Sequence, residues 1–80
     1  MSRNQEEPVF NRIEEIRTSL SISRQELAEK TGVHYQTVGY LERGEYNPSL
    51  ALALKISLAL GVRIDEIFSV KPFKKGKRQP

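Results

Sequence analysis

The 80-residue chain has no cysteine and a single histidine. A disulfide framework and a thiolate zinc site are thereby excluded, and the composition suits a reducing cytosol. Nowhere do about 18 uncharged apolar residues follow one another, and the N-terminus has no apolar run of the signal-peptide kind. A cytoplasmic protein without membrane contact is expected. Acids are missing from residues 71–80, which hold Lys71, Lys74, Lys75, Lys77 and Arg78. That stretch carries +5 against +3 for the whole chain, so residues 1–70 carry −2. An anionic partner must therefore be argued from where cations sit, not from their total.

Catalytic arrangements are missing as well. The one histidine has no plausible nucleophile beside it, and there is no Gly-rich phosphate loop or metal-spaced cluster. No enzyme activity, metal or cofactor is expected. The length fits one small domain. A chain of this size buries only about 60% of the surface its unfolded form exposes, so dimerisation is a natural supplement to its stability.

What is present is helical spacing. Residues 1–8, "MSRNQEEP", read as a loose arm. From Val9 to Leu20, the positions Val9, Phe10, Ile13, Ile16 and Leu20 recur at three and four residues, predicting a first amphipathic helix. Ser23 followed three residues later by Glu26 is a capping box that starts a second helix, ending near Thr31 at Gly32. A third helix runs from about Tyr35 to Arg43, and Gly44 ends it. Ser49 caps a fourth over Leu50–Leu60, apolar nearly all round except for Lys55 and Ser57. A short fifth helix fits "RIDEIF", with Ile64, Ile67 and Phe68 inward. After Val70 the composition turns basic and flexible. The sequence thus predicts five helices, no strand, and one domain over residues 9–70.

Two helices joined by a tight glycine-containing turn make a helix-turn-helix, whose second helix is the one able to enter a major groove. Ala28 is small where the helices approach, Gly32 turns the chain, Val33 plugs the turn, and Val38 and Leu41 hold the third helix. His34, Tyr35, Gln36, Gly39 and Tyr40 are left on the opposite face, where base edges would be met.

The blocks "NRIEEIR", "SRQELAEKTGV", "QTVGYLERGEYNPSLALALKI" and "ALGVRIDEIF" stand in an order and spacing that resembles the Cro/cI-type (XRE) helix-turn-helix regulators over roughly Phe10–Phe68. The resemblance implies an all-α, compact five-helix, lambda-repressor-like DNA-binding domain with the motif on helices 2 and 3. It implies an ion pair between Arg17 and Glu42 that locks the third helix to the first. Base contacts fall on His34, Tyr35, Gln36 and Tyr40, and phosphate contacts on Ser23, Arg24, Arg43, Tyr46 and Asn47. The Thr37 hydroxyl could join the phosphate set or simply satisfy the start of the third helix. The short family members act as dimers, which places a homodimer contact on the fifth helix and the chain after it, at Ile64, Ile67, Phe68 and Val70.

The departures from the family bear on what is read. Arg24 stands where glutamine usually opens the second helix, Tyr35 where arginine or lysine is common, and Gly39 where a base-contacting side chain is possible. His34 replaces the usual Ser, Thr or Asn cap and is poorer there by about 1 kcal/mol. The function expected is sequence-specific binding of double-stranded DNA by a homodimer that regulates transcription, most simply as a repressor on a roughly palindromic operator. The alternative is an antitoxin-like or accessory module that uses the same fold to hold an unidentified partner protein.

Overall fold

The computed structural model describes residues 8–73. The rest of the expected arm (residues 1–7) and most of the basic stretch (residues 74–80) lie outside the described residues. Five helices follow in order: α1 (Ile13–Ser19), α2 (Arg24–Thr31), α3 (Tyr35–Glu42), α4 (Leu50–Leu60) and α5 (Ile64–Ile67). None of them is long and apolar enough to cross a membrane.

The first helix begins later than its spacing predicts, and the expectation of no strand is corrected. Residues Phe10–Asn11 form β1, which pairs antiparallel with β2 (Phe68–Ser69), Phe10 opposite Ser69 and Asn11 opposite Phe68. The backbone hydrogen bonds of this segment go to the far end of the chain. The Arg12 N–H donates to the Ile67 carbonyl at 2.8 Å, and the Arg12 guanidinium donates to the Glu66 carbonyl through Nε and Nη2 at 3.1 and 2.9 Å. Apolar pairs such as Val9–Phe10 fit a helix and a strand equally in so short a window. Asn11 then opens α1, its Oδ1 accepting the Ile13 N–H at 3.0 Å. At the other end Leu20, expected inward, is exposed, and Ser21 takes a left-handed turn at φ 59°.

The remaining boundaries follow their caps. Ser23 and Glu26 make the reciprocal capping box at 3.0 and 2.8 Å. Ser49 Oγ accepts the Leu52 N–H at 3.1 Å to start α4, and Gly61 closes it at φ 72°. Helix α5 is a single turn, shorter than "RIDEIF", because Phe68 has already entered β2.

Five side chains, Ile13, Leu27, Val38, Ile56 and Ile67, are completely enclosed and come from five different helices. One core therefore ties all the helices together. Ile67 was expected at a dimer contact; at 0% exposure it is a core residue of its own chain and does not face a second subunit. Ile64 and Phe68 are half-buried, and of that set only Val70 is well exposed. The outward apolar surface lies instead on α4. Leu50, Leu54 and Leu58, four residues apart, form one stripe on the face opposite Leu52, Ile56 and Leu60. Past Val70, Phe73 lies against the fold, with Arg12 Cζ 4.5 Å from its ring centroid.

Candidate nucleic-acid interface

The motif is built around Gly32. Its φ of 78° suits a residue without Cβ, and its N–H donates to the Ala28 carbonyl at 2.8 Å, as does that of Val33 at 3.1 Å. Ala28 is buried, so α2 and α3 approach closely at the turn. Val38 and Leu41 enter the core and set the rotation of α3. That rotation leaves His34, Tyr35, Gln36 and Tyr40 exposed together on one side.

His34 does more than face solvent. Its backbone is extended at φ −72° and ψ 148°, and its Nδ1 accepts the Gln36 N–H at 3.1 Å. The imidazole thus takes the capping place usually filled by a short hydroxyl or amide side chain. It also stacks on Tyr35, ring centroids 5.1 Å apart and planes 25° from parallel. Cap and stack together hold Tyr35 and Gln36 in position at the first turn.

Glu42 secures the other end of α3. Arg17 donates to Glu42 Oε2 through Nε at 2.7 Å and to Oε1 through Nη2 at 3.4 Å, and its Nη1 reaches the Ile22 carbonyl at 3.0 Å. Arg24 adds a second guanidinium, Nε to Glu42 Oε1 at 2.8 Å. The hydrogen bond to Glu42 and the charge of its carboxylate hold the Arg24 guanidinium above its ordinary value. Sequence reasoning placed Arg24 outside this network; the available signal was an arginine beside the capping serine of α2, opposite an acid at the end of α3. Asn11 was missed altogether. Its Nδ2 donates to the Leu41 carbonyl at 2.8 Å, so one amide both opens α1 and caps the last turn of α3.

One further expectation changes. Gly39, grouped with the outward residues, is buried, because Arg43 lies across it. Thr37 is half-buried at the foot of a shallow depression that it shares with Tyr40, Glu45 and Tyr46. Ser23, Arg24, Arg43, Tyr46 and Asn47 are exposed. Among the described residues no group of three or more His, Cys, Asp or Glu side chains is placed to hold a metal ion.

Residues 13–67 match the helix-turn-helix family model. The chain belongs to the Cro/cI-type (XRE) helix-turn-helix family of transcriptional regulators. It is similar to an uncharacterised HTH-type transcriptional regulator of Archaeoglobus fulgidus, 46% identical over 57 residues that cover 71% of this chain and 81% of the relative. A further HTH-type regulator, from Bacillus subtilis, is 41% identical over 58 residues, covering 72% and 88% of the two chains. Among solved structures it resembles the restriction-modification controller protein C.AhdI from Aeromonas hydrophila. That match has a TM-score of 0.66 and 38% identity, and covers 69% of this chain and 83% of that one. As a member of this family of regulators, the chain carries its DNA-binding motif on α2 and α3.

Proposed function

We propose that this helix-turn-helix regulator is a sequence-specific, cytoplasmic repressor that binds a roughly palindromic operator as a homodimer. The observation that carries the reading is the exposed face of α3, where His34, Tyr35, Gln36 and Tyr40 stand on a helix fixed at both ends. A helix so held loses little further freedom on meeting base edges, which favours discrimination. Gln36 is the residue best suited to an adenine, because its amide can donate and accept at the N6 and N7 edge.

Phosphate contacts fall to Ser23, Arg24, Thr37, Tyr46 and Asn47. Ser23 Oγ accepts from Glu26 and keeps its own O–H to donate. The N–H groups of Arg24 and Gln25, in the first turn of α2, have no intrahelical acceptor and add anion-binding capacity without cations. This is how residues with a net charge of −2 over positions 1–70 meet DNA. The reading of a dimer is supported by the Leu50, Leu54 and Leu58 stripe, an exposed apolar row on α4. Two copies would then present their α3 helices to successive major grooves about 34 Å apart. Repression follows from occupancy, since a bound dimer excludes other proteins from the promoter DNA it covers.

Selection from a random DNA pool tests the reading. The expected product is a two-fold symmetric sequence with half-sites one helical turn apart, and Gln36→Ala should relax one position in each half-site by about 1–3 kcal/mol. Enrichment of no sequence, together with capture of a partner protein on the α4 stripe, would favour the accessory-module reading instead.

A further inference from the structure

Gly39 looks like a gap in the reading face. It lies four residues after Tyr35 and three after Gln36, so a side chain there would stand beside both, in the row that meets base edges. The structure fills the gap from elsewhere. Arg43 follows Gly39 by four residues, and helical side chains lean toward the N-terminus and over the preceding turn. Its guanidinium accordingly lies back across Gly39, so that a Cβ added there would stand 3.3 Å from Nη1. The same guanidinium stacks near the Tyr40 ring, Cζ 5.4 Å from the centroid. A notch of about 260 Å³ opens at this place, lined by Arg24, Tyr35, Gln36, Gly39, Tyr40 and Arg43. Arg43 is thus part of the same recess as the expected base readers, although the resemblance assigned it to the phosphate backbone.

We infer that Arg43 reads a guanine in the major groove, and that Gly39 is the residue that lets it do so. The inference rests on the DNA-reading function proposed above and adds a specificity-determining residue to it. Three features favour a base over a phosphate. The guanidinium sits over the middle of α3, not beyond its C-terminus where the backbone of a docked duplex would pass. Glu45 already holds the side of the guanidinium, accepting from Nε at 3.0 Å and from Nη2 at 3.5 Å. A guanidinium has five N–H donors, so among the described residues Nη1 and the second hydrogen of Nη2 have no other acceptor and form a fork, the shape that matches guanine O6 and N7. The Glu45 carboxylate, finally, would repel an approaching phosphate, whereas the guanine acceptors are neutral. Glu45 therefore braces Arg43 for a neutral, bidentate target.

The test is DNA selection followed by binding titrations with four proteins: the natural chain, Arg43→Ala, Arg43→Lys and Gly39→Leu. The natural chain should select a guanine at one position in each half-site. Arg43→Ala and Arg43→Lys should both lose that preference by about 10- to 100-fold while keeping the rest of the site, since lysine lacks the planar fork. Gly39→Leu should lose it at the same position with Arg43 still present, because leucine takes the place of the guanidinium. Circular dichroism of each variant should show the natural helix content. The inference is overturned if Arg43→Ala weakens preferred and scrambled DNA equally, with the salt slope falling by about 0.9, and Arg43→Lys restores binding. A selected site without guanine under α3 overturns it too and leaves DNA reading standing. Selection of no sequence at all overturns both.

Discussion

Arg17 Nε lies 2.7 Å from Glu42 Oε2, and the carboxylate it meets is only 1% exposed. This contact ties α1 to the end of α3 and so fixes the angle at which the reading helix leaves the body of the protein. Removing one partner from a buried pair leaves the other charged and desolvated, which typically costs about 3–5 kcal/mol. Arg24 remains as a second, half-exposed partner of the same carboxylate, so Arg17→Ala should fall at the low end, about 3 kcal/mol. Replacing both members with apolar residues, as in Arg17→Met with Glu42→Leu, should destabilise less than Arg17→Met alone. Urea unfolding of the three variants checks the order, and a double variant less stable than the single one would contradict it.

Asn11 offers a sharper dissection. The amide oxygen accepts the Ile13 N–H from one residue ahead of the Arg12 cap position of α1, and the amide nitrogen holds the Leu41 carbonyl. Asn11→Ala should cost about 2 kcal/mol, from two lost side-chain to backbone hydrogen bonds of about 1 kcal/mol each. Asn11→Asp keeps the acceptor and removes the donor, and should recover up to half of that loss. A loss in Asn11→Asp no smaller than in Asn11→Ala would mean that the bond to Ile13 contributes nothing net.

His34 makes a similar, milder prediction. Its Nδ1 accepts the Gln36 N–H, so His34→Ala should destabilise the protein by about 1 kcal/mol. His34→Asn should be as stable as the natural chain or more so, because asparagine is among the preferred capping residues. Thermal unfolding of both variants without DNA decides this separately from any role in base contact.

How far the sequence carries depends on whether a feature is local. The capping box at Ser23–Glu26, the glycine stops at Gly32 and Gly61, and the Ser49 cap of α4 are each written in residues within about one turn. They are legible for that reason. The strand pair is not: Phe10–Asn11 and Phe68–Ser69 meet only because the ends of the fold meet, and two-residue strands carry no period. Arg24 with Glu42 and Asn11 with Leu41 are long-range pairs of the same kind. Ile67 shows the opposite error, an apolar residue on a short terminal helix assigned to an interface although the chain's own core had room for it. Gly39 was legible as a gap in the outward row of α3, but not its burial under Arg43, since only the lean of helical side chains brings the two together.

Leu58 is 82% exposed and Leu50 72%, with Leu54 between them, and exposed leucines at four-residue spacing form a continuous apolar row. Leu52, Ile56 and Leu60 hold the opposite face in the core, so a charge added on the stripe leaves that packing intact. Leu54→Glu with Leu58→Glu should therefore yield a folded monomer, with an unfolding midpoint lowered only by the loss of dimer linkage. Sedimentation should give the dimer mass for the natural chain and the monomer mass for the double variant. Binding to a full palindrome should fall toward that of a single half-site, because the second reading helix no longer arrives with the first. The control is Ile64→Glu, at the expected but half-buried position on α5. If Ile64→Glu separates the subunits without unfolding them and the α4 variant stays dimeric, the contact lies on α5 after all.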